Sequence, residues 1–171
     1  MFAKLRFSTI HAGLLLFWAI WLTLVAFTNL ADALKRLHLL PEDWTLASYN
    51  YDLVVQTLQP HGVPEAVAAL LFAGVIVWEA TAAALLWRAF AAVRRGAPGT
   101  APEVTQAFAV SLALWAAFLI ATEATVNYLT ASTHKETLIA QLASLLVIRS
   151  GDTPAAVPVG AVAERDVGGA V

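Results

Sequence analysis

Cysteine is absent from the 171 residues, which removes disulfides, thiolate-held zinc, iron–sulfur clusters and thiol nucleophiles together. Charge is scarce too. Asp, Glu, Lys and Arg make up 13% of the chain, against roughly 25% in an average soluble domain. A net charge of −2 supplies no attraction for phosphate and argues against nucleic acid as a partner. The sequence contains no HExxH, no GxSxG and no phosphate-cradling glycine loop. What remains is apolar: 60% of positions, a mean hydropathy of +0.72, six Trp and eight Phe. That balance fits an integral membrane protein of one small domain.

A helix needs about 20 apolar residues to cross a hydrocarbon core of ~30 Å. Residues 8–29 carry no charge and read GLLLFWAIWLTLVAF at their centre. Lys4 and Arg6 precede this run as they would in a signal peptide, but the run outlasts an apolar core of about 7–15 residues. It is read as a retained helix. Further spans are expected at residues 64–87, with Glu79 inside, and 104–127, uncharged until Glu123. A fourth and weakest span covers 132–149, with Gln141 near its centre. The expected fold class is all-α: a four-transmembrane-helix bundle forming one membrane domain over residues 1–149. An extracytoplasmic amphipathic segment joins helices 1 and 2, and the tail 150–171 is expected to be flexible unless a partner holds it. Lys4, Arg6, Arg88, Arg94, Arg95, Arg149 and Arg165 then share one side, against Lys35, Arg36 and Lys135 on the other. By the positive-inside rule this places both termini in the cytoplasm, in a bacterial inner membrane.

The outer connection, residues 30–63, is long for a loop. Leu34, Leu37, His38 and Leu40 recur at near-helical spacing, which predicts an interfacial amphipathic helix ended by Pro41. NYDLVVQTLQP predicts a second short amphipathic segment closed by Pro60 and Gly62. RRGAPGTAPE, between the second and third spans, is expected to be solvated.

Ionisable groups within apolar spans are the main chemical clue, since an uncompensated charge at mid-membrane costs at least ~2.5–3.5 kcal/mol. Glu79 and Glu123 fall at depths differing by roughly 15 Å at 1.5 Å per residue, so they are not expected to share a proton or a metal. For Glu79 the expected partners are Gln141, Thr81 and His11. For Glu123 they are Asn29, Thr28, Asn127 and Tyr128. The plain structural reading makes both acids hydrogen-bonded pegs between helices; the functional one makes them a proton relay or ligand site. Ala109, Ala113, Ala117 and Ala121 recur every four residues, a small-residue stripe on which another helix can pack closely, with Glu123 on nearly the opposite side. His38, His61 and His134 are weak outer-face metal candidates whose spacing matches no metal motif. With His11 alone inside a span, bis-His haem is not expected. No cofactor is assigned, and contact with quinone, lipid or pigment is indistinguishable here from apolar packing.

AFTNLAD (26–32), NYDLVVQTL (50–58) and WEATAAAL (78–85) resemble a bacterial family of predicted small integral membrane proteins of unknown function. The likeness covers residues 21–149 in patches. It implies four helices and supplies no catalytic residues; here LKRLHLLPEDWTLAS lengthens the first spacing, and QTLQPHG replaces a His-containing stretch. The expected function is that of a non-catalytic accessory or assembly subunit of a larger membrane complex, respiratory or photosynthetic, contacting lipid and other membrane subunits. Two alternatives stand beside it. One is a small transporter or proton conductor using Glu79, Gln141 and Glu123; the other is a membrane enzyme with a quinone site near His11 and Glu79 or an outer-face metal.

Overall fold

The computed structural model describes residues 7–151, which form five α-helices and no strand. These are α1 (Phe7–Arg36), α2 (Asn50–Leu58), α3 (Glu65–Arg94), α4 (Pro102–Thr125) and α5 (Ala131–Ser150). Three are long and apolar enough to cross a membrane, over Thr9–Arg36, Glu65–Arg94 and Pro102–Thr125. The expected flexible tail, from residue 152 on, lies outside the described residues, as do Lys4, Arg6 and Arg165.

Cross-helix bonds give the topology. Trp87 donates its indole N–H to Thr23 Oγ1 at 3.1 Å, while Asn29 meets Glu79, so α1 and α3 run antiparallel. Ser111 bonds Gln141 and Arg149 bonds Thr105, which makes α5 antiparallel to α4 along most of its length. Trp18 bonds Ser144 at 2.9 Å, and His11 lies against Gly151, tying α5 back to α1. The four long helices thus form a ring in the order α1, α3, α4, α5. One end, the base, holds the start of α1 and the α3–α4 linker. At the other end, the cap, α2 lies across α1 and α3.

The base is where the core sits. Leu15, Ala19, Leu22, Ala82, Leu86, Ala89, Val104, Ala107, Phe108 and Ile148 have no exposed surface. Alternating large and small side chains lets them interlock, which is where the attraction between helices arises when lipid is as apolar as the core. Most of the linker is exposed, as expected, but two of its residues turn into the core. Gly99 and Ala101 are buried, and a Cβ on Gly99 would run into the carbonyl of Ile148, so glycine allows α5 to close on the linker.

Two boundaries differ from the sequence reading. The interfacial helix expected around Leu34–Leu40 is instead the last turns of α1, which continues unbroken to Arg36 and ends where His38 takes a positive φ of 55°. Likewise α3 runs on to Arg94 instead of stopping near residue 87. In both cases the ends are charged, and those side chains reach past the apolar stretch to polar partners or solvent. The second amphipathic segment is α2, as expected, with Gly62 at a φ of 70° after Pro60 and His61.

Candidate functional site

Beneath α2, at the cap end, the helices leave a cavity of about 360 Å³. Its walls come from Leu53, Val54 and Leu58 of α2, Phe72, Val75 and Trp78 of α3, and Leu114, Ala117 and Phe118 of α4. Trp78, Glu79 and Leu114 lie deepest. Counted along α3, Glu79 stands 14 residues past Glu65, or ~21 Å at 1.5 Å per residue.

The roof is held by a polar network that begins on one face of α1. Asn29, Asp32 and Arg36 follow at three- and four-residue spacing and so face the same way. Asp32 Oδ2 accepts the backbone N–H of Tyr51 at 2.8 Å and the Ser48 hydroxyl at 3.2 Å, which ties down the first turn of α2. Arg36 pairs with Asp52, and its guanidinium lies 4.8 Å from the centre of the Tyr51 ring. Tyr51 in turn donates its hydroxyl to Glu65 at 3.1 Å and meets Phe72 edge-on. Burial pushes the Tyr51 phenol up from 10.0, and the bond to the Glu65 carboxylate pushes the same way. At the far end of α2, Asn127 donates to Thr57 Oγ1 at 2.7 Å.

Glu79 is 1% exposed, the most deeply buried acid among the described residues. Both its oxygens accept from Asn29 Nδ2, at 2.9 and 2.8 Å. Asn29 Oδ1 accepts from Asn50 Nδ2 at 2.8 Å. The donors therefore run in one direction, from α2 through α1 to the acid on α3, an arrangement complementary to a carboxylate. On the opposite wall His134 stacks on Phe118, with ring centres 4.8 Å apart, and continues into Trp115, Trp21 and Trp18.

The expected partners are redistributed. Asn29 belongs to Glu79 and not to Glu123, because the register of α1 against α3, fixed also by Thr23 and Trp87, brings the two level. Glu123 is exposed and accepts from the Tyr128 hydroxyl at 3.3 Å. Gln141, fully buried, accepts from Ser111 at 2.8 Å instead of reaching Glu79, and its Nε2 has no partner among the described residues. His11 is buried at the base, far along α1 from Glu79. Glu79, Gln141 and Glu123 thus have separate partners and no direct bond to one another. Of the alanine stripe, Ala109, Ala113 and Ala121 are exposed and Ala117 is half-buried, so none of the described helices covers it. Ala117 and Ala121 also line the cavity.

The histidines go to three environments: His38 lies 3.7 Å from Glu42, His61 Nε2 lies 3.1 Å from the Thr125 carbonyl, and His134 joins the aromatic stack. No three His, Asp or Glu side chains converge as metal ligands among the described residues. Sequence reasoning missed Asp32, Asn50 and the cavity itself. The signal for the first was the Asn29–Asp32 spacing on a face of α1 that also carries Arg36.

No family model, curated protein or solved structure matches this chain.

Proposed function

We propose that the protein is a four-span membrane protein that binds a small, largely apolar molecule in the cavity beneath α2. Three helices meet the length and apolarity of a span. The fourth is α5, whose 20 residues reach ~30 Å at 1.5 Å per residue and lie antiparallel to α4. Among the described residues Arg88, Arg94, Arg95 and Arg149 lie toward the base, against Lys35, Arg36 and Lys135 toward the cap; on that bias the base faces the cytoplasm and the cavity opens in the outer half of a bacterial inner membrane. The observation that carries the reading is the cavity's make-up: apolar walls with one acid at the deep end. A binding site is commonly a concave apolar space of roughly 300–1,000 Å³ with a few convergent polar groups.

The test is to purify the chain from its native membrane in mild detergent, extract small molecules and compare them by mass spectrometry with those from Ala117→Trp, which fills the cavity. A compound retained by the parent and missing from the variant supports the reading. Identical profiles from two folded samples would remove it.

A second reading has its own observation. The alanines of α3 and α4 that face outward (Ala73, Ala80, Ala84, Ala109 and Ala113) give two smooth helix faces that none of the described residues covers. Uncovered by those residues, these faces suit close packing by another subunit, which would make the protein a non-catalytic accessory component of a larger membrane complex. Stoichiometric large subunits co-eluting in mild detergent support that role, and elution as a lone monomer speaks against it.

A further inference from the structure

Resting on the cavity reading above, we infer that the occupant is a lipophilic cation, a quaternary or protonated amine carried on an apolar, ring-sized body, attracted by Glu79 and seated against aromatic faces. Among the residues lining the cavity, Glu79 is the one acid, and there is no Lys or Arg. The nearest cations on α1 are occupied elsewhere. Lys35 reaches the Trp44 carbonyl and the Tyr49 ring, and Arg36 is bound to Asp52 and the Tyr51 ring. The acid is therefore set in an apolar wall with hydrogen-bond donors but no counter-ion. His134, the other titratable group on the wall, presents a ring stacked on Phe118.

Two features favour a charge over a neutral hydrogen-bonding ligand. Both oxygens of Glu79 already accept from Asn29, and the residue is 1% exposed, which leaves little surface for a directional bond from a hydroxyl. Charge attraction does not need that surface. In a low-dielectric wall it acts over several ångströms with little screening. Phe72, Trp78 and Phe118 also line the space, and the faces of such rings attract cations through their quadrupoles. Trp78 is held in place by its own indole bond to the Val110 carbonyl at 3.0 Å and precedes Glu79 in sequence, so ring and acid sit on adjacent positions of one helix.

The test uses two molecules of the same shape that differ in one charge, benzyltrimethylammonium and neopentylbenzene. The full chain is labelled with 5-fluorotryptophan in lipid nanodiscs, and the Trp78 fluorine resonance, assigned with Trp78→Phe, reports occupancy at concentrations expressed per lipid. In the parent the cation is expected to bind at least about tenfold more tightly than its neutral isostere. Glu79→Gln, with its helix content unchanged, is expected to bring the two to near equality, and Ala117→Trp to abolish both shifts. If the neutral compound binds as well as the cation, the cavity stands and the cationic class is overturned. Equal cation binding by the parent and Glu79→Gln also overturns it. If neither probe moves the Trp78 resonance of the folded parent, the cavity reading fails and this inference fails with it.

Discussion

At the base of the bundle, Leu15, Leu22, Leu86, Phe108 and Ile148 meet with no exposed surface, and Gly99 and Ala101 of the linker between α3 and α4 are buried beside them. A few turns away at the cap, α3 and α4 leave about 360 Å³ between them, while α1 is held to α3 by the Asn29–Glu79 bonds and to α2 by Asp32. The pair α1 and α3 is thus packed by shape at one end, through Leu15, Leu22 and Leu86, and linked through the Asn29–Glu79 bonds nearer the other. In lipid, where burying apolar surface against a helix gains little over burying it in acyl chains, these are the two available ways to hold helices together. The end joined by polar bonds is the one that can keep an empty space, because its stability does not depend on filling it.

The contrast is broken most directly at the base. Phe108→Ala empties a site with no exposed surface and is expected to cost about 3–5 kcal/mol. Unfolding in mixed micelles measures it, and a loss below about 1 kcal/mol would mean that the base is no better packed than the cap. Next in size comes the polar link. Asn29→Leu leaves the Glu79 carboxylate buried without its donor, for an expected loss of about 1–3 kcal/mol. Adding Glu79→Leu to that variant should recover part of the loss, since an apolar pair leaves nothing unsatisfied. No recovery in the double variant would show that the cap depends on more than this link.

The roof should be weaker still. Asp32→Ala removes the acceptor at the first turn of α2, with an expected cost of about 1 kcal/mol. Amide exchange should quicken across Asn50–Leu58 and stay unchanged in the base; uniform quickening would show that roof and base unfold as one. Alkali tests the same joint. Tyr51 has a phenol raised above 10.0, so the neutral form is favoured in the folded state. Its contribution is complete below the ordinary tyrosine value and is lost as pH rises through the raised one. Absorbance titration should therefore contain a late phenol component that Tyr51→Phe removes. Absence of that component would contradict the buried bond to Glu65.

Much of this contrast was legible in the sequence, but unevenly. The long helices were readable because spans are set by length and apolarity, properties each segment carries by itself. Glu79, Asn29 and Gln141 stood out as polar groups in apolar surroundings, and each is buried. Their partners were not readable, since pairing depends on the vertical register between helices. Asn29 meets Glu79 and not Glu123 because of the register of α1 against α3, which no property of either segment alone reveals. The four-residue alanine spacing was visible too, yet period alone cannot say whether a stripe is covered. A cavity has no sequence signature, because it is made by side chains from distant segments failing to meet.

That failure to meet sets the smallest expected effect. Ala117 lines the cavity half-buried, while Ala107, on the same helix, is fully buried in the base. Ala107→Leu forces three carbons into filled space, and overpacking of that kind costs about 1–3 kcal/mol. Ala117→Leu places the same three carbons where no atoms stand, so its effect on stability should lie within about 0.5 kcal/mol of zero. The pair removes composition and helix propensity from the comparison, as residue type and helix are identical. Equal penalties would mean that the space beneath α2 closes in the membrane. A penalty confined to Ala107→Leu would leave a cavity that is open without ligand, maintained by the bonds from Asp32 and Asn29 and ready to be occupied.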